Sequence, residues 1–203
     1  MLVKSSLELD TYYLFGLMPT YHHKETGKRF LFVHIPRTAG RFIQENIRLN
    51  GYVPEQIIWE PIEGVEISHL HRELYEKYLD VEYLEQIAIV RDPVERYLSL
   101  KSHPHHPKGW FRPQVDYINM KTHLWRFEDG FGDAFAEWMS NILENDFIIQ
   151  PLESEFLHNI HGQPILLEYM QPEYKKIIKT DAVVDYVKLH YRDDFMVLYN
   201  STL

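Results

Sequence analysis

Residues 30–42 read FLFVHIPRTAGRF, and this stretch decides the fold. Its first six residues, apolar, aromatic and β-branched around one histidine, predict a buried strand. From Thr38 to Leu49 the pattern turns helical, with Phe42, Ile43, Ile47 and Leu49 apolar and Asn50-Gly51 as the stop. In open α/β sheets ligands sit beyond the carboxyl ends of the strands. A helix N-terminus there offers unpaired N–H groups and a partial positive charge to an anion. The turn PRTAGR has the parts for this: Thr38 supplies a hydroxyl, Ala39 and Gly40 let the backbone come close, and Arg37 and Arg41 add charge. It is not a Walker A loop, because GxxxxGK[ST] is absent from the chain. Spacing alone leaves an anion socket and a plain structural turn equally open.

Working outward, QIAIV at 86–90 predicts a second buried strand. Asp92 then caps a helix with Pro93 at its first position, running to about Ser102. In that helix Arg96 falls on the outward side, free for solvent or substrate. LHRELYEKYLD at 70–80 suits a short amphipathic helix, and SHPHHPKGWFRP at 102–113, with its prolines and glycine, a loop. THLWRF at 122–127 predicts a third strand, and DAFAEWMSNILE at 133–144 an amphipathic helix that packs Trp138 and Met139 into the core. A strand at 164–168, a helix near 172–179 and a closing segment around 186–199 follow. Strands alternating with helices predict an α/β fold whose sheet is mainly parallel and flanked by helices. No repeat, low-complexity run or linker divides residues 1–203, which read as one domain with 1–29 as an N-terminal extension into the first core strand.

The 203 residues carry a formal net charge of −9. That argues against general nucleic-acid binding, which needs a basic face for phosphate, although a local basic pocket stays compatible with it. With no cysteine there are no disulfides, thiolate metal sites or cysteine nucleophiles, which fits a reducing compartment. No stretch approaches the ~20 apolar residues of a membrane span. The apolar run at 12–19 follows Glu8 and Asp10, where a signal peptide would carry basic residues. The expectation is a cytoplasmic protein that binds neither membrane nor nucleic acid.

VHIPRTAGRF at 33–42 resembles the signature FxHIPKTGGTS of the sulfotransferases that use 3′-phosphoadenosine 5′-phosphosulfate, in particular the carbohydrate (heparan sulfate 2-O and related) branch. IVRDPVERYLSL at 89–100 resembles that family's second signature and also follows a strand. HPKGWFRPQVDYI, LWRFEDGF and YRDDFMVLYN resemble recurrent stretches further along, so the likeness runs from about residue 30 to 199. It implies a P-loop-like three-layer fold and sulfuryl transfer from 3′-phosphoadenosine 5′-phosphosulfate to an acceptor hydroxyl, on a carbohydrate, releasing adenosine 3′,5′-bisphosphate. Carried over, Arg37, Thr38, Ala39, Gly40, Arg41 and Phe42 would line the 5′-phosphosulfate, and Arg91 and Ser99 would hold the 3′-phosphate. A guanidinium forks onto phosphate oxygens and a hydroxyl adds a neutral donor. The bland alternative for Arg91 is a salt bridge with Asp92 or Glu95. Two departures stand out: Arg37 replaces the usual lysine, and Arg41 replaces a threonine or serine. Arginine keeps the charge but is bulkier, planar and permanently protonated.

In-line attack on sulfur calls for a base that takes the acceptor proton, most often His or Glu; no metal is chemically necessary. Among twelve histidines, His69 in ISHLHREL is the leading candidate, since the resembling enzymes keep their base in a similar stretch. His71 is the runner-up, and Glu66 and Glu73 are lesser alternatives. Packing against the neighbouring helix is the plain reading of both histidines. His34 reads as a core or supporting residue, Glu128 likewise. His103, His105 and His106 lack a carboxylate at ligand spacing, which leaves a solvated or substrate-contacting loop ahead of a metal site. Trp110 and Phe111 could stack on a sugar or adenine, with Lys108, Arg112 and Gln114 as donors; buried aromatics are the alternative. Two rival functions remain: a small-molecule kinase with a divergent phosphate loop, and a nucleotide binder that has lost catalysis.

Overall fold

A computed structural model describes residues 19–55, 60–103, 108–150 and 177–201. Five strands form one sheet: β1 (Thr20–His23), β2 (Arg29–Val33), β3 (Tyr52–Pro54), β4 (Glu85–Val90) and β5 (Thr122–Arg126). The helices among the described residues are α1 (Gly40–Leu49), α2 (Arg72–Tyr78), α3 (Pro93–Ser102), α4 (Asp133–Leu143), α5 (Asp181–His190) and α6 (Arg192–Tyr199), with short 3₁₀ turns between them. The strand order is β3-β1-β2-β4-β5. β2, β4 and β5 run parallel, while β1 pairs antiparallel with both β2 and β3. The protein is therefore a mixed α/β structure, parallel through one half of its sheet and antiparallel through the other.

Two strands were not legible in the sequence. Thr20–His23 lies in what reads as an N-terminal extension, and Tyr52–Pro54 is too short to show a period. The predicted segment 164–168 and most of 172–179 fall outside the described residues; the last turns come out as two helices, α5 and α6.

Alternation along the central strands sends side chains to opposite faces. Phe30, Phe32, Ile87 and Ile89 pack with Ile43 and Ile47 of α1 and with Phe135, Met139 and Leu143 of α4. Leu31, Val33, Ala88 and Val90 pack on the other face with Leu74 and Tyr75 of α2 and Leu198 of α6. Helices thus cover both faces, which is why β2 and β4 read as unbroken apolar runs. As expected, Met139 is buried, and Trp138 packs against the same cluster.

The site follows from this topology. β2 and β4 are parallel neighbours, so their carboxyl ends emerge side by side at one sheet edge. From there the chain leaves β2 toward β3 on one side and β4 toward β5 on the other. That is a topological switch point, the place where open α/β sheets form a crevice.

Candidate functional site

The first turn leaves β2 at Val33 and enters α1 at Gly40. Arg37 and Ala39 both adopt the left-handed region, with φ of 70° and 68°. For residues with a Cβ this costs about 1–2 kcal/mol each, and such outliers cluster where a loop has a task. Thr38 is fully buried and its hydroxyl donates to the Ile35 carbonyl (2.8 Å), so it stiffens the turn from inside. Gly40 lies directly against the His34 imidazole, and a Cβ there would fall inside the ring. No side chain caps α1. Phe42 is half-buried and packs toward Phe131 (ring centroids 5.4 Å), leaving its backbone, not its ring, to the turn.

The second turn follows β4. The Asp92 carboxylate accepts from the Glu95 N–H (2.9 Å) and Pro93 occupies the first turn of α3, as the sequence predicts. The two turns meet directly. The Arg37 Nε–H donates to Ser99 Oγ (2.9 Å), and Arg91 Nη1 donates to the Arg37 carbonyl (3.3 Å). The Arg91 guanidinium also lies over the Phe127 ring, 4.5 Å from its centroid. Arg91 forms no salt bridge with Asp92 or Glu95; Glu95 pairs with Lys179 instead. Burial, and secondly the like charge of Arg37, work against the charged form of Arg91, while Glu95, Glu128 and Asp92 favour it.

The two arginines that flank the first turn act on different sides. Arg37 reaches Ser99, whereas the exposed Arg41 sets its charge against His34, His69 and Glu66. His69 ends a 3₁₀ turn and is buried. Its Nδ1 is 3.0 Å from the His34 carbonyl, which can only accept, so Nδ1 carries the proton. Nε2 is left with its lone pair, 3.7 Å from Glu66 Oε2. Trp110 packs edge-on to His69 (5.1 Å) and donates to the Glu66 carboxylate. The His34 and His69 rings are 4.3 Å apart. Burial pushes the His69 imidazole down to about 4, and burial raises the Glu66 carboxyl. At neutral pH His69 is therefore an uncharged acceptor in the tautomer that a base needs.

The remaining sequence candidates separate. Trp110 stands with His69, and the His103 ring also packs against it (5.3 Å). His71 is buried at the start of α2 with its Nδ1 lacking a hydrogen bond. Arg112 pairs with Asp116 (3.5 Å). Gln114, expected among the substrate donors, is fully buried and clamps the Arg91 backbone: its Oε1 accepts from the Arg91 N–H (2.9 Å) and its Nε2 donates to the Arg91 carbonyl (2.7 Å). Glu128 accepts from the Asp92 N–H and from the Tyr199 hydroxyl. His105 and His106 lie outside the described residues. Among the described residues no cluster of three or more His, Asp or Glu stands ready for a metal, and no helix is long and apolar enough to cross a membrane.

Arg96 corrects the sequence reading most. It is 1% exposed, not outward, and its guanidinium donates to three carbonyls: Pro36 (3.0 Å), Trp110 (2.8 Å) and Arg112 (3.1 Å). The signal was available, since Pro93, Arg96 and Leu100 share the buried i, i+3, i+7 stripe of α3. A charged residue on that stripe has a partner inside. Asp194 of α6 is equally buried and accepts from the Gln114 and Val115 N–H groups (both 3.0 Å). Nothing local in the sequence marks it. Comparison with known protein families, with characterised proteins and with solved structures finds no match.

Proposed function

We propose that this chain is a P-loop-like sulfotransferase of the cytoplasm that binds 3′-phosphoadenosine 5′-phosphosulfate across its two strand-to-helix turns. The sulfuryl group would pass to the hydroxyl of a carbohydrate acceptor. One observation carries the reading: Arg37, Arg91 and Ser99 converge from two separate motifs, and neither guanidinium has a carboxylate ion pair among the described residues. Two neighbouring, half-buried guanidinium groups without such an ion pair among the described residues favour an anion. The residues present fit the donor on that ground.

The donor supplies a sulfur centre with a phosphate leaving group. Arg37 offers fixed charge where the leaving oxygen gains its own, and Arg91 and Ser99 hold the 3′-phosphate. His69 accepts the acceptor proton at Nε2 as the hydroxyl oxygen bonds to sulfur and the bond from sulfur to the phosphate oxygen breaks. Trp110, edge-on to His69, offers an apolar surface for a sugar ring. Arg41 adds charge on the acceptor side.

A thermal-shift comparison tests the ligand: adenosine 3′,5′-bisphosphate should stabilise the chain and ATP–Mg²⁺ should not, the reverse favouring a kinase. Transfer of labelled sulfate to a panel of hydroxylated acceptors tests the reaction, and His69→Ala should abolish it. One observation favours a second reading, a nucleotide binder without transfer: an imidazole pushed down to about 4 is a weak base. Tight bisphosphate binding with no transfer to any acceptor would select that reading.

A further inference from the structure

Resting on that reading, we propose that the carboxy-terminal helix α6 sets the geometry of the 3′-phosphate site through a buried relay, Asp194 to Gln114 to Arg91. Gln114 and Asp194 are then positioning residues for the donor.

The relay is continuous in hydrogen bonds. Asp194 spends both carboxylate oxygens on the 113–115 turn, Oδ2 accepting from the Gln114 N–H and Oδ1 from the Val115 N–H, both at 3.0 Å. Gln114 Nε2 also approaches Asp194 Oδ2 at 3.5 Å. The Gln114 amide is thereby held with its oxygen on the Arg91 N–H and its nitrogen on the Arg91 carbonyl. Two bonds of opposite polarity on one residue fix both the position and the rotation of that peptide segment, as a strand neighbour would. They act just where β4 ends and its ladder stops. Arg91 leaves this clamp with its guanidinium against Phe127 and the Arg37 carbonyl, so its starting point decides where the charge sits.

The arrangement also explains a buried carboxylate. Asp194 is 0% exposed, and burial raises its carboxyl against the two backbone N–H groups that favour the ion. A buried acid that only filled space would be replaced by an apolar residue at no loss. Here its two oxygens match two N–H groups that no sheet partner takes. Arg96, whose field reaches Asp194, braces the same loop to the first turn at Pro36.

The test uses the full chain and two probes, adenosine 3′,5′-bisphosphate and adenosine 5′-monophosphate, which lacks the 3′-phosphate. Gln114→Glu keeps the shape but turns the Nε2 donor into an acceptor facing the Arg91 carbonyl. Calorimetric titration should show the bisphosphate Kd rising about tenfold or more while the monophosphate Kd moves less than about threefold, and the donor KM should rise more than kcat falls. Equal losses for both probes, or no loss, overturn the relay. Should Gln114→Glu fail to fold, hydrogen exchange on the wild-type chain decides. Bisphosphate should slow exchange in 110–116 and 192–199 as well as in 37–42 and 91–99; protection confined to the last two segments refutes it. If the wild-type chain binds neither probe, the nucleotide reading falls and this assignment with it. Binding with unchanged Gln114→Glu discrimination removes the relay alone.

Discussion

Arg96→Met is the sharpest perturbation of this structure. Methionine keeps most of the apolar stem, so packing along α3 changes little, but all three donors to Pro36, Trp110 and Arg112 are lost. Hydrogen bonds from a charged group contribute about 1.5–3 kcal/mol each. The cost of burying the guanidinium, which disfavours its charge, returns part of that sum. The balance is a loss of about 3–5 kcal/mol, since three buried carbonyls are left without their donor. For a chain of this size that lowers Tm by about 10 °C. Urea unfolding followed by far-UV circular dichroism measures it, with an unchanged slope showing that the unfolded state is unaffected. Arg96→Lys, which keeps the charge but cannot span three carbonyls, should fall between wild type and Arg96→Met. A loss below about 0.5 kcal/mol for Arg96→Met is what a solvated arginine gives, and would refute the pinning role.

Three further outcomes follow from the same geometry. Ala39→Gly should stabilise the chain by up to about 1 kcal/mol, because glycine relieves the left-handed φ of 68° and offsets its greater unfolded-state entropy; denaturant midpoints check this. Gly40→Ala should destabilise despite alanine's better helix propensity, since its Cβ would fall inside the His34 ring; the same midpoints, and a weaker bisphosphate titration, read it out. Stability should fall on acidification. His69 titrates lower when folded, about 4, than the 6.5 of the unfolded chain, so its stabilisation is full above pH 6.5 and is lost as pH falls toward 4, about 3 kcal/mol in all. His34 shifts the same way, whereas Glu66 and Asp194, raised by burial, act in the opposite sense. His69→Asn should therefore flatten the pH dependence between 4 and 6.5 relative to wild type.

The sequence by itself determined the elements whose signals are local. β2 and β4 are buried on both faces and read as apolar runs. Asp92-Pro93 starts α3 because capping needs only a carboxylate and a fixed φ. The order of strand, turn and helix placed Arg37, Arg91 and Ser99 at neighbouring strand ends, where the two turns meet, since parallel strands bring their ends to one edge. Tertiary structure alone decided the rest. β1 and β3 are strands through pairing, not through pattern. Gln114 and Arg96 changed roles because a polar group's task is set by which carbonyls and N–H groups the fold leaves unpaired nearby. Asp194 lies 80 residues from the turn it caps, and no spacing rule spans that distance. The two arginines of PRTAGR kept their place in the turn but were divided by the fold. Arg37 donates to the Ser99 hydroxyl of α3, whereas the charge of Arg41 bears on His34 and His69, because Arg37 stands in the turn and Arg41 is already part of α1.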